Sequence, residues 1–301
     1  MLTEIPQTLH DLLAEQSVEI EEFLATFTAE KLKPILDDAR EIVIAKLADL
    51  RKRGSPELTI TMYKKLLAEI QNAAFASGAQ LGQALDEGID IADKMGFTNF
   101  VAQLSVAAAA SGLNDAGELV DLLKIQGSSR LRQINEARKL LTADETALYT
   151  AEQIATAERT LTTVFISGGT FDDAADALVS NADGTPWAAA EWKGERLART
   201  ELMRAMNSTA IGAIDEGAKT MPLGKQWYEY CVGPNWGEGL GIPYPGPATP
   251  LDKRVGRDSK RMHAQVVIGD QMWIDPGRGM QYADAPSRPN GREVIIPFIL
   301  T

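Results

Sequence analysis

Beyond Thr220 the chain changes texture, and that change limits its fold more than any other feature. Gly233 to Pro250 holds five Gly and five Pro, a density that excludes regular helix and marks a long loop, ordered or partner-bound. Before it, apolar residues recur at helical spacing. Leu9, Leu12, Leu13, Ile20, Phe23, Leu24 and Phe27 lie on one such pattern, with acids between them. Leu32, Ile35, Leu36, Ile42, Val43, Leu47 and Leu50 carry it on after an expected break near Thr28. After the loop come short β-like runs, Gln265–Ile268, Gln271–Ile274 and Val294–Ile296. The expected class is therefore α+β: a mainly helical N-terminal region, then a small α+β domain with a short antiparallel sheet. The expected division is 1–140 and 141–301.

Local signals punctuate the helical part. Arg53-Gly54-Ser55-Pro56 ends one helix, and Met62, Tyr63, Leu66, Leu67, Ile70 and Phe75 open the next, extended by Ala-rich segments to about Lys124. Gly127-Ser128-Ser129 reads as a turn, and Thr142 with Glu145 has the spacing of a capping box that starts a helix. Thr170 is an N-cap for a short helix carrying Phe171, Ala174, Ala175 and Leu178. Thr185 with Pro186 opens a further helix to about Glu216, with Gly194 and Gly212 inside it. Gly269-Asp270 between two β-like runs fits a tight hairpin.

Charge divides the chain again. Its net charge is −12, which argues against a whole-surface nucleic-acid binder. Residues 1–50 carry eleven acids against four bases, whereas 251–262 carry five bases (Lys253, Arg254, Arg257, Lys260, Arg261) against two acids. Such a basic strip suits DNA phosphates, a solvated loop or an acidic partner. Cys231 is the only cysteine, so no intrachain disulfide forms and a reducing compartment is expected. No signal peptide is apparent at Met1-Leu2-Thr3-Glu4. The most apolar run, Phe100–Leu113, is too short to span a bilayer and reads as a buried helix.

Two segments hold groups with chemical potential. In Ala198-Arg199-Thr200-Glu201-Leu202-Met203-Arg204-Ala205-Met206-Asn207, helical spacing puts Arg199, Met203 and Asn207 on one stripe, and Thr200 and Arg204 on the next. The other segment is Asp258-Ser259-Lys260-Arg261-Met262-His263. Arg199, Glu201 and His263 together would make an acid–base or phosphodiester-binding set. The commoner use of such groups is ion pairing that holds a helix against a sheet. There is no P-loop, H-E-x-x-H or C-x-x-C, and no cofactor or metal site is expected.

These segments resemble the phage Mu F-like family of minor head (head-morphogenesis) proteins. Gly169-Thr170-Phe171-Asp172 with Ala174–Leu178 is similar to the short helix before the family's domain, and Ala198–Leu202 with Ala205 and Asn207 to its A-R-T-E stretch. Lys225-Gln226-Trp227 resembles its Lys-x-Trp strand start, and Asp258 to His263, followed by Gly269, its D-x-[RK]-x-x-H element. Asn290-Gly291-Arg292-Glu293 falls where members carry N-C-R-C. Gly291 and Glu293 replace those cysteines, so a metal role does not carry over. The motif residues are thus Arg199, Thr200, Glu201, Asn207, Trp227, Asp258, His263 and Asn290.

The resemblance implies a virion protein of a tailed bacteriophage or prophage, at the portal vertex or head interior and in the host cytoplasm during assembly. Portal, capsid or scaffolding protein and phage DNA are the implied partners, with no membrane. It would act in head assembly and in DNA packaging or delivery. Two other readings stay open: an enzyme on nucleic acid or a nucleotide using Arg199, Glu201 and His263, and a non-sequence-specific DNA-binding accessory using Lys253–Arg261.

Overall fold

The computed structural model describes residues 7–52, 59–112, 116–179, 186–229, 265–269, 271–274, 279, 281–282 and 293–299. Its helices are α1 (Gln7–Phe27), α2 (Lys33–Lys52), α3 (Ile60–Ala110), α4 (Ala116–Ile166), α5 (Phe171–Val179) and α6 (Pro186–Gly217). The strands are β1 (Leu223–Glu229), β2 (Val266–Val267), β3 (Trp273–Ile274), β4 (Gln281–Tyr282) and β5 (Glu293–Ile299). A mainly helical chain with a small antiparallel sheet near its C-terminus is the α+β class expected.

Several expected helix ends are not ends. At Thr28 the chain continues through a π-helical turn, Thr28–Leu32, in which the Lys33 N–H reaches back to the Thr28 carbonyl. Pro34 supplies no N–H, and its ring would crowd the carbonyl four residues earlier. A wider turn relieves both, so the proline yields a bulge instead of a break. Gly127-Ser128-Ser129 and Thr142 both lie inside α4, a helix of 51 residues. One interior glycine costs about 1 kcal/mol relative to alanine, less than the packing of a long helix supplies. Thr142 caps nothing: it is buried, and its carbonyl accepts the Thr146 hydroxyl at 2.8 Å. The real reversal lies earlier, at Ser111-Gly112, where Gly112 takes φ +71° and its N–H closes on the Ala109 carbonyl.

Other local signals act as expected. α2 is described as far as Lys52, and the expected break at Arg53-Gly54-Ser55-Pro56 lies outside the described residues; Thr59 starts α3, its Oγ1 accepting the Met62 N–H. Thr170 caps α5: its hydroxyl accepts the Asp173 N–H at 3.3 Å, and the Asp173 carboxylate accepts the Thr170 N–H at 2.7 Å. That exchange holds the Asp173 carboxyl below its ordinary range, the backbone bond from Thr170 contributing most.

The chain packs as two compact units, each built from separated stretches of the sequence. One comprises Met1–Leu24, Gly88–Lys139 and Arg199–Thr301; the other comprises Ala25–Glu87 and Leu140–Ala198. The two 51-residue helices explain the interleaving, since α3 and α4 each contribute to both.

In the second unit, Val43 and Leu47 of α2, Leu66, Ile70 and Ala73 of α3, Ala157 and Leu161 of α4, and Ala174 and Leu178 of α5 form the core. α3 and α4 approach closely where Gly78 meets Thr150. A β-carbon at Gly78 would sit 2.3 Å from the Thr150 hydroxyl. The hydroxyls of Thr146 and Thr150 donate to carbonyls one turn back, so this polar stripe is buried without loss.

In the first unit, Phe100, Leu104, Ala107 and Ala108 of α3 pack with Ala210, Ala213 and Ile214 of α6 and with Leu223, Val267, Trp273, Ile295 and Ile299 of the strands. The apolar run read as a buried helix is therefore core. β1 is the middle of a three-stranded antiparallel sheet ordered β2-β1-β5, with Trp227 opposite Ile295 and Lys225 opposite Pro297 and Val267. The expected hairpin is half present. Gly269 takes φ +57° and the Gln271 N–H closes the turn on Ile268, but β2 pairs with β1 and β3 with β4. Between β2 and β3 the Gln265 side-chain amide replaces a ladder, donating to the Ile274 carbonyl at 2.9 Å and accepting its N–H at 3.3 Å.

Candidate functional site

α6 carries the A-R-T-E stretch, and in the first unit it is not an amphipathic surface helix. Thr200, Glu201, Leu202, Met203, Ala205, Met206, Asn207, Ser208, Thr209, Ala210, Ala213 and Ile214 are all buried, and only the stripe of Arg204, Ile211 and Asp215 is open in part. A polar side chain in such a place must find a partner, because an unmet buried group costs about 1–3 kcal/mol. Each one tethers a different neighbour.

Arg199 pairs with Glu21 on α1. Thr209 donates to Asp93 on α3. Ser208 accepts a 2.7 Å bond from Arg138 Nε on α4. Asn207 Oδ1 accepts the Ile295 N–H of β5 at 3.0 Å. One face of α6 also lies directly on α3: a β-carbon at Gly96 would meet the Met206 carbonyl oxygen at 2.5 Å and its Cα at 2.8 Å. Only glycine allows two helix backbones this near.

The Asn207 bond explains the far edge of the sheet. Ile295 points its N–H away from β1, and alternate residues of an antiparallel strand point theirs the same way. Pro297 falls on that outward register, so its missing N–H removes no ladder bond. Val294, Ile295 and Ile296 are buried. The side chain of Asn207 thus takes the place of a further strand along this edge.

Glu201 has a side chain only 2% exposed and binds Arg204 at 2.7 Å. The Arg138 guanidinium faces the same carboxylate. Burial holds it below its ordinary value, with Glu201 pulling back up and Arg204 pushing down. One buried carboxylate therefore balances two guanidiniums. Lys225 repeats the theme on β1: its buried ammonium meets Asp215 at 3.0 Å and donates to the Gly269 carbonyl at 2.8 Å. This ties the end of α6, β1 and the β2–β3 turn together.

Arg199 and Glu201 do not share a site. Two residues apart on a helix, their side chains diverge by about 200°, and each has its own partner. Trp227 lies in β1, opposite Ile295. Asp258, His263 and Asn290, and the basic Lys253, Arg254, Arg257, Lys260 and Arg261, lie outside the described residues. Glu21, Asp93, Arg138 and Ser208 were not singled out from the sequence. Their one signal is the polar run Asn207-Ser208-Thr209 inside a helix with no polar face.

Among the described residues, no group of three or more His, Cys, Asp and Glu side chains gathers as a metal site. Nor is any described helix long and apolar enough to cross a membrane. The chain matches no family model, no curated protein and no solved structure.

Proposed function

We propose that the chain is a minor head protein of a tailed bacteriophage or prophage, associated with the portal and the capsid interior and acting in head assembly and DNA packaging or delivery. The observation that carries this reading is the engagement of the A-R-T-E…N side chains. Arg199 holds α1, Glu201 balances Arg204 and Arg138, and Asn207 holds β5. These residues build a rigid body instead of converging on a reacting atom, and rigid bodies that present surfaces are what an assembly protein contributes. The resemblance of the α5, α6 and β1 motifs to the Mu F-like family supplies the assembly. The acidic residues of the N-terminal region supply a surface for the portal or scaffold.

Purification of heads tests the reading. The protein is expected to co-purify with portal protein, and its deletion to reduce packaged DNA or infectivity. Heads that lack it yet keep normal portal occupancy, packaging and infectivity would overturn it.

A further inference from the structure

The core of the second unit is not filled. Residues of α2, α3, α4, α5 and α6, all within that unit, surround a partly open cavity of about 70 Å³. Its buried wall is aliphatic and alanine-rich, with Val43, Ile70 and Leu178 beside Ala73 and Ala157. Ser77, Tyr149 and Gln153 are half-buried and mark the mouth. The volume is about half that of a cavity that takes up benzene, so an apolar group of about three or four carbons fills it.

The polar groups around the cavity set the rest of the ligand. The Tyr149 hydroxyl donates to the Ala190 carbonyl at 2.9 Å, and Gly194 makes room for it, since a β-carbon there would stand 3.2 Å away. Burial pushes this phenol up, so it stays neutral. Ser77 and Thr150 spend their protons on carbonyls of their own helices, at 3.0 Å and 2.9 Å. Gln153 differs: among the described residues its amide makes no hydrogen bond, so it offers both a donor and an acceptor. None of the described residues lining the cavity is charged, which rejects an ionised ligand, because a charge taken out of water needs a counter-charge. Slack between helices explains the volume but not an unpartnered amide at its mouth. We propose that the cavity binds a small neutral molecule, with a branched aliphatic end inside and one hydroxyl at the mouth, bonded to Gln153. This site goes beyond the head-protein reading and does not depend on it.

Isobutanol titrated into the full chain, followed through its alanine-methyl NMR signals, tests the proposal. Saturable shifts confined to the alanines of the cavity are expected at millimolar concentrations, as suits a ligand of so few atoms. Isobutylammonium, the same shape with a charge, should bind at least about tenfold more weakly. Ala157→Val fills the space and should weaken isobutanol by about tenfold or more; if it fails to fold, Ala73→Val replaces it. Gln153→Ala should weaken isobutanol by about fivefold and leave xenon uptake intact. Xenon uptake without saturable isobutanol binding would mean packing slack alone and would overturn the proposal. So would isobutanol binding that either substitution leaves unchanged, or that isobutylammonium matches.

Discussion

The two units are both helical, yet they are held together differently. The first is organised around α6, a helix largely buried from Thr200 to Ile214, whose polar side chains reach α1, α3, α4 and β5. The second has an aliphatic, alanine-rich core, and among its described residues the cross-helix side-chain bonds are the Tyr63–Thr162 and Tyr149–Ala190 contacts and ion pairs such as Lys33–Glu191. Its α4 buries one stripe, and Ala39, Ala73, Ala157 and Ala190 line a cavity of about 70 Å³. Specific polar tethers allow one arrangement and are costly to break; small apolar residues pack with slack and tolerate change.

Removing a tether is the strongest way to break this comparison. Glu201→Ala leaves Arg138 and Arg204 facing one another, and a loss of about 3 kcal/mol is expected in urea unfolding. A loss near zero would mean the girdle does not hold the first unit. Gly96→Ala forces the α3 and α6 backbones apart and should cost about 2 kcal/mol. Asn207→Ala orphans the Ile295 N–H; the expected cost is also about 2 kcal/mol, with faster amide exchange along β5 as the local readout. The second unit should respond in the opposite direction. Ala157→Val fills part of this partly open cavity and should raise stability by up to about 1 kcal/mol. Destabilisation there would show that its core is already full.

Acid gives the smallest and most local contrast. In the first unit, burial holds the His10 imidazole below its ordinary 6.5, against an opposing pull from Asp11. The unfolded chain therefore binds this proton more readily. The stability associated with neutral His10 is complete above pH 6.5 and is lost as pH falls from there through the lower folded value. In the second unit, Asp173 sits below its ordinary 3.8, so the contribution of its cap is complete above that value and is lost only in stronger acid. Amide exchange against pH should show α1 loosening first and the start of α5 later. The reverse order would contradict the assignment.

Legibility followed range. The Thr170 cap and the strand at Val294–Ile296 were readable because each is decided within a few residues. Gly127-Ser128-Ser129, Thr142 and Thr28 misled for the same reason. Each carries a local signal worth about 1 kcal/mol, outweighed by the packing of long helices. At the candidate site, the sequence singled out Arg199, Glu201 and Asn207 but not their partners Glu21, Arg138 and Ile295.

By itself, then, the sequence determined the class, the Thr170 cap and the one helix whose polar residues needed explanation. Composition, helical period and turn chemistry act along the chain and can be read from it. Tertiary structure alone decided that α3 ends before Gly112 while α4 runs unbroken, that β2 joins β1, and that most of α6 from Thr200 to Ile214 is buried. These outcomes depend on which distant segments exclude water together. Asn207 shows the difference most directly: a polar residue on a helix in the sequence, it becomes the cap of a sheet edge only when Ile295 arrives from the far end of the chain.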